Sequence, residues 1–179
     1  MLNKLFYLFL IFFIVVYFYF WYLAKKSRHG FIPEYNGTSL NICSANKNCV
    51  CSEVAEDKEH YLEPYSYKNV INDAGQTSKV ADIIWQSLMI AIKKAGGLVN
   101  TRSSYYASAT FESAFFGFVD DFEVRLDVDK KLIHFRSASR VGRSDFGVNR
   151  KRVQKLIVLL EANLSELQNK LLKSKSSHQ

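Results

Sequence analysis

The feature that most constrains this chain is an uncharged apolar run over residues 5–24. A helix of about 20 apolar residues is long enough to cross a bilayer. Residues 20–22 (Phe, Trp, Tyr) end the run with bulky rings, as in an interfacial belt, where a signal peptide would carry small residues before its cleavage site. The run therefore predicts a retained transmembrane anchor over residues 1–26, with a cleaved signal peptide as the alternative.

The sequence gives two opposing indications of which side of the membrane the remaining chain occupies. Lys25, Lys26 and Arg28 follow the run, while only Lys4 and the amino terminus precede it, which favours a cytoplasmic domain by the positive-inside rule. A pair of cysteines further along favours an oxidising compartment instead. We expect a single-pass membrane protein whose domain lies on the exported, periplasmic side.

Beyond the anchor, composition divides the chain into three parts. Residues 27–42 are polar, contain Pro33 and Asn36-Gly37, and predict a linker. Residues 43–165 form the predicted domain, and residues 166–179 are a basic helix end and tail. The net charge is +7, but there is no recognised nucleic-acid motif, so a lipid bilayer rather than nucleic acid is the expected partner.

Hydrophobic periodicity predicts an α+β domain. A helix is expected over residues 78–95, an edge segment over 61–67, and strands over 104–112, 119–127 and 132–138. In the second strand Phe122, Val124 and Leu126 alternate inward, with charged residues outward. This order predicts a small antiparallel meander sheet, with one helix before it and a long C-terminal helix packed on one face.

The last helix is predicted from near Asp145 or Asn149 to about residue 173. Its apolar residues recur at heptad spacing: Val153, Ile157, Leu160, Leu164, Leu167 and Leu171. The first half is expected to pack on the sheet. Beyond Ala162 the helix either docks on the same domain or self-associates with a second copy of the chain.

Three cysteines lie close together in a loop rich in Ser and Asn. The gap between Cys43 and Cys49 allows a local disulfide, which makes this pair the disulfide candidate. A metal site is disfavoured because the three thiols have no nearby fourth ligand and lack paired zinc spacing. We therefore expect neither a metal nor a cofactor.

The cationic segment over residues 134–152 predicts the end of a strand, a loop that contains two glycines, and the start of a helix. Such a segment is a generic anion site, because helix N–H groups add to the side-chain charge. The candidate ligand-binding residues are Arg136, Arg140, Arg143, Asp145, Asn149, Arg150 and Arg152. The alternative is a structural network, in which Asp120, Asp121 and Asp145 hold the arginines internally.

The same segment resembles a known family. Residues 137–152 (SASRVGRSDFGVNRKR) look like the signature of DUF1499, a family of domains of unknown function. Residues 43–50 (CSANKNCV) and 116–124 (FGFVDDFEV) agree with it, and together the resemblance covers roughly residues 40–165. It implies a location in a bacterial envelope or a plant plastid, and no established activity. Family members usually have serine where this chain has Cys51.

Catalysis has little support in the sequence. Asp120 and Asp121 are adjacent, so on a strand they face opposite sides, and His134 has no identifiable partner. The leading hypothesis is a non-catalytic domain that binds an anionic amphiphile or acidic envelope component through the arginine-rich loop. An interaction or scaffold protein acting through the C-terminal helix is the alternative, and a hydrolase using Asp120, Asp121 or His134 is the least favoured.

Overall fold

The computed structural model describes residues 2–30, 35–68 and 77–176, with side chains described over 3–30, 35–68 and 79–169. It is an α+β structure, as the periodicity predicts. The elements in chain order are α1 (Leu2–Arg28), β1 (Cys49–Cys51), β2 (Tyr65–Ser66), α2 (Thr77–Lys94), β3 (Leu98–Ser103), β4 (Tyr106–Glu112), β5 (Val119–Asp127), β6 (Leu132–Ser139) and α3 (Val148–Ser176).

The strands form one antiparallel sheet in the order β1-β6-β5-β4-β3, and the short β2 also pairs with β6. β3 to β6 are a meander of hairpins, and β1 and β2 share the outer edge of β6. β3 was absent from the predicted strands. It is an edge strand with no buried residue, so its sequence lacks the apolar alternation that marks β5.

The main core lies between one sheet face and the two helices α2 and α3. Phe122, Val124 and Phe135 are fully buried on that face. The contacting helix residues follow the 3.6-residue helical period: Ala81, Ile84, Leu88 and Ala91 on α2, and Val153, Leu156, Leu160 and Leu164 on α3. In the expected heptad, Ile157 is only partly buried while Leu156 is fully buried. A helix lying across a sheet presents a wider stripe than a coiled-coil seam.

The opposite face of the sheet is also covered, and here the expectation of outward charged residues in β5 is wrong. Asp121 and Glu123 are both buried: Asn41, in the segment over residues 35–43, contacts Glu123, while Arg140 binds Asp121. The Tyr35 ring stacks on Tyr106 with centroids 3.9 Å apart, and Leu40 is buried beside it. Within the predicted linker, Tyr35, Leu40 and Asn41 thus contact the sheet, residues 36–39 are exposed, and residues 31–34 lie outside the described chain.

α1 is long and apolar enough to cross a membrane. It ends at Arg28, beyond the predicted anchor boundary, and its last turns contact the domain. Ser27 is fully buried, and its hydroxyl accepts a hydrogen bond from the Val119 amide at 2.9 Å. The Arg28 guanidinium lies 3.0 Å from the Glu112 carboxylate. The end of the apolar helix is therefore attached directly to β4 and β5.

We predict that Leu160→Ala lowers the free energy of unfolding by about 2–5 kcal/mol, because it leaves a cavity in the core between α3 and the sheet. The matched control is Val158→Ala on the same helix, where the side chain is 63% exposed and the change should stay within about 0.5 kcal/mol. Urea unfolding of the full chain in detergent, followed by near-UV circular dichroism, measures both. Equal losses would contradict this placement of α3.

Candidate functional site

The arginine-rich segment meets three acidic side chains of the central strand β5. Glu123 is fully buried, and its Oε2 accepts a hydrogen bond from Arg136 Nη1 at 2.9 Å. Its Oε1 accepts from the Tyr106 hydroxyl at 3.0 Å and from Asn41 Nδ2 at 2.7 Å. Burial, reinforced by the Glu123 charge, raises the pKa of Tyr106. Arg136 therefore neutralises a carboxylate that no water reaches directly.

Arg140 connects this face to the end of α1. Its Nε and Nη2 donate to Asp121 Oδ1 at 2.9 and 2.7 Å, and its Nη1 donates to the Ser27 carbonyl at 3.0 Å. Burial raises the pKa of Asp121, and the Arg140 guanidinium opposes that rise. A Cβ at position 30 would collide with the Arg140 side chain, so Gly30 is needed for this close approach.

On the helix-covered face, Arg152 binds Asp120. Arg152 Nη2 lies 2.6 Å from Asp120 Oδ2, and Nη1 donates to the Ser137 hydroxyl at 2.8 Å and to the Asn149 side chain. Asn149 is fully buried and donates from Nδ2 to the Asn48 carbonyl at 2.9 Å. As expected, Asp120 and Asp121 point to opposite faces, and each is paired with an arginine.

Asp145 caps the N-terminus of α3. Its carboxylate accepts from the Gly147 amide at 3.0 Å and from the Asn149 amide at 2.7 Å. A negative cap offsets the cost of the cations in the first turns of the helix. Among these, Arg150 Nη2 donates to the Tyr61 carbonyl at 2.8 Å.

Of the seven candidate ligand-binding residues, Arg143 alone has an exposed side chain with no hydrogen bond or ion pair to the described residues. Arg136, Arg140 and Arg152 each bind a carboxylate, and Arg150, Asp145 and Asn149 are engaged with the backbone. The geometry thus agrees with the internal network for most of the segment and leaves Arg143 available to a ligand.

The cysteine loop (residues 43–51) fixes the base of the arginine loop (residues 140–147, between β6 and α3). Cys43 and Cys49 are joined by a disulfide of 1.98 Å, while Cys51 is a free, buried thiol whose pKa burial raises. Between the bridged cysteines, the buried Asn48 donates from Nδ2 to the carbonyls of Ser139 and Gly142, at 3.2 and 2.8 Å. The disulfide-closed turn therefore holds the start of the loop in place.

The sequence offered no partner for His134, and the structure supplies Ser52. The Ser52 hydroxyl lies 3.3 Å from His134 Nδ1, and a Glu53 carboxylate oxygen lies 3.9 Å from the same nitrogen. In a catalytic triad the acid and the serine occupy opposite ring nitrogens, so this arrangement lacks triad geometry. Among the described residues, no cluster of three or more His, Cys, Asp or Glu side chains has metal-binding geometry.

A polar cleft of about 340 Å³ lies between the end of α1 and the start of the arginine loop. Leu23 and Lys26 of α1 form one wall, and residues 139–142 form the other. Ser44, Asn46 and Asn48 of the cysteine loop also line it. No sequence pattern indicated this cleft, because its walls come from three segments that only the fold brings together.

The family model described as "Protein of unknown function (DUF1499)" matches residues 39–160. The chain belongs to this family. The DUF1499 match contains the whole sheet, α2, the cysteine loop and the arginine segment, whereas α1 lies outside it. No curated protein and no solved structure matches the chain. The cleft is thus formed by family residues on one side and by the N-terminal helix on the other.

We predict that Arg152→Ala destabilises the protein by about 3–5 kcal/mol, since it leaves the Asp120 carboxylate buried without its counter-charge. Arg143→Ala, which removes the same charge from the exposed part of the loop, should change stability by no more than about 0.5 kcal/mol. Denaturant unfolding of both variants checks the difference. A large loss of unfolding free energy with Arg143→Ala would contradict the absence of hydrogen bonds and ion pairs between Arg143 and the described residues.

We predict that stability falls as pH is lowered from 7 to 5.5. Burial lowers the pKa of His134 below its ordinary value of 6.5, although the Glu53 carboxylate opposes this shift. Below pH 6.5 the unfolded chain therefore binds a proton that the folded chain does not, and unfolding becomes more favourable. His134→Gln should show a smaller fall over the same range. If His134→Gln leaves the dependence of the unfolding free energy on pH unchanged, His134 is not the cause of the fall in stability.

Proposed function

We propose that this DUF1499 protein is a membrane-anchored, non-catalytic domain that binds the acidic headgroup of an anionic amphiphile. The binding site is the cleft between α1 and the arginine loop. The observation that carries the proposal is the position of this cleft, which adjoins α1 where its apolar run ends. If α1 crosses a bilayer, the cleft opens at the level of the lipid headgroups.

One free cation lines the cleft, and a second follows its last lining residue in the chain. Lys26 lines it, has an exposed side chain and makes no ion pair with the described residues. By contrast, Lys25 lies over the Trp21 ring and Arg28 is paired with Glu112. Arg143 directly follows the lining residue Gly142. Together these cations give the cleft a positive potential that its internal ion pairs do not cancel.

The walls suit an amphiphile rather than a simple ion. Leu23 contributes an apolar contact that continues along the exposed surface of α1, beside which an acyl chain would lie. Ser44 and Asn46 supply neutral hydrogen-bonding groups. A basic residue near an anionic bilayer contributes about 1 kcal/mol of attraction, so two such residues favour an acidic headgroup over a zwitterionic one.

The test uses the full chain in detergent, equilibrated with equal amounts of phosphatidylglycerol and phosphatidylcholine and weighed intact by native mass spectrometry. We expect the protein to retain phosphatidylglycerol preferentially. Lys26→Gln with Arg143→Gln should weaken that retention about 30-fold, because about 2 kcal/mol of attraction is lost. Lys93→Gln with Lys155→Gln removes equal charge from exposed lysines outside the cleft and should leave retention unchanged.

Equal losses in the two double variants would contradict a defined site at the cleft. A second arm replaces the lipids with soluble glycerol phosphate, which carries the same acidic group without acyl chains. Binding of lipid alone would support an amphiphile ligand. Equally tight binding of glycerol phosphate would show that the site takes a free phosphate ester and would overturn the amphiphile proposal.

A scaffold role for the C-terminal helix is the second candidate, favoured by a groove of about 430 Å³ between α2 and α3. The groove is lined by Ile83, Ile90 and Leu167, and Ile90 is about half exposed. Because Leu164 belongs to the core, a truncation that tests this role must end after it. We expect a chain stopped after Ser165, which removes Leu167 from the groove, to contain fewer copies per native assembly if α3 mediates self-association, and the same number of copies otherwise.

A further inference from the structure

The connection between β4 and β5, residues 113–118, carries three phenylalanines and is closed at its base. The Ser113 amide donates to the Phe118 carbonyl at 2.8 Å, and the Phe118 amide donates to the Ser113 hydroxyl at 2.9 Å. The Gly117 amide donates to the Ser113 carbonyl at 3.1 Å, with Gly117 at φ 71°. The loop is therefore a tight turn whose ends satisfy their own backbone groups.

The aromatic residues of this loop contact α1 well inside its apolar run. The Phe116 ring stacks on Phe20 with centroids 5.3 Å apart and lies 6.0 Å from the Tyr17 ring. Phe118 also contacts Phe20, at 6.5 Å. The Phe115 ring lies against Phe116, but Phe115 itself is 85% exposed.

The position of these contacts along α1 sets their depth in a bilayer. At about 1.5 Å per residue, Phe20 and Tyr17 lie about 6 and 10 Å inside the run's end at Ala24. The alternative is a hydrocarbon boundary at Tyr17, but residues 5–16 would then be only about 18 Å long, against the roughly 30 Å of a bilayer core. If α1 spans the membrane, Phe116 therefore lies no farther out than the interfacial belt formed by residues 20–22.

We propose that loop 113–118 is a second membrane-contacting element, which inserts Phe115 and Phe116 into the same leaflet from which α1 emerges. The partner of this surface is the lipid bilayer itself. The inference rests on the membrane-spanning role of α1 in the proposed function, but it is independent of headgroup binding at the cleft. The turn's internal hydrogen bonds reduce the number of backbone groups that would need a partner in lipid.

The insertion fixes how the domain sits on the membrane. With α1 as its single membrane contact, the domain could tilt relative to the bilayer. A second contact through the loop would restrict that tilt. The exposed ion pair between Arg28 and Glu112 lies next to Gly117, and thus falls at the headgroup level beside the inserted rings. The β4–β5 end of the sheet faces the bilayer in this arrangement.

The test measures the depth of nitroxide spin labels on the full chain in vesicles. In a Cys51→Ala background, with the disulfide intact, single labels are placed by Phe115→Cys, by Phe12→Cys within α1, and by Val158→Cys on the exposed face of α3. Collision with oxygen, which concentrates in lipid, is compared with collision with a water-soluble nickel chelate. Vesicles of pure phosphatidylcholine are compared with vesicles that also contain phosphatidylglycerol.

We expect oxygen to be favoured at positions 115 and 12, and the nickel chelate at position 158, in both kinds of vesicle. Nickel preference at 115 with oxygen preference at 12 would overturn loop insertion while leaving the anchor intact. Nickel preference at both would overturn the anchor and the insertion together. Because pure phosphatidylcholine carries no net charge, insertion there separates this proposal from headgroup selectivity at the cleft.

Discussion

Three buried carboxylates on the central strand β5 are the constraint on which the rest of the domain depends. Asp120, Asp121 and Glu123 lie where water is largely excluded, so each needs a counter-charge in a defined position. Arginines from a single later segment supply all three, on both faces of the sheet. This requirement constrains the path of the chain from β6 through the loop into α3. It accounts, without a ligand, for Arg136 and for two of the four arginines in residues 137–152.

The N-terminal helix belongs to the structure of the domain. Arg140, already bound to Asp121, also holds the Ser27 carbonyl, so the network on β5 extends to the end of α1. The loop between β4 and β5 adds aromatic contacts to Tyr17 and Phe20, within the apolar run of the same helix. The proposed binding cleft and the proposed membrane-contacting loop both lie at this junction, since each is built from α1 on one side and from family residues on the other.

Regular patterns made much of the fold predictable. The alternation in β5 predicted its bounds, and the spacing of apolar residues with a double-glycine stop located α2 to within a residue at each end. Parity along the strand correctly separated Asp120 from Asp121. What failed was the reading of polar residues as solvent-facing: Glu123 lies under a covering segment whose packing leaves no periodic signal. The edge strand β3 was missed for the opposite reason, because exposure removes the alternation that would mark it.

By itself the sequence determined the α+β class, the family, the apolar helix and the cationic segment, because these depend on composition and on spacing along the chain. Only the tertiary structure decided which arginines are used internally and which remain available. That choice depends on distances between residues far apart in sequence, such as Arg152 and Asp120 or Arg140 and Ser27. Charge is a property of a residue, but whether that charge is neutralised depends on which groups the fold brings within hydrogen-bonding distance.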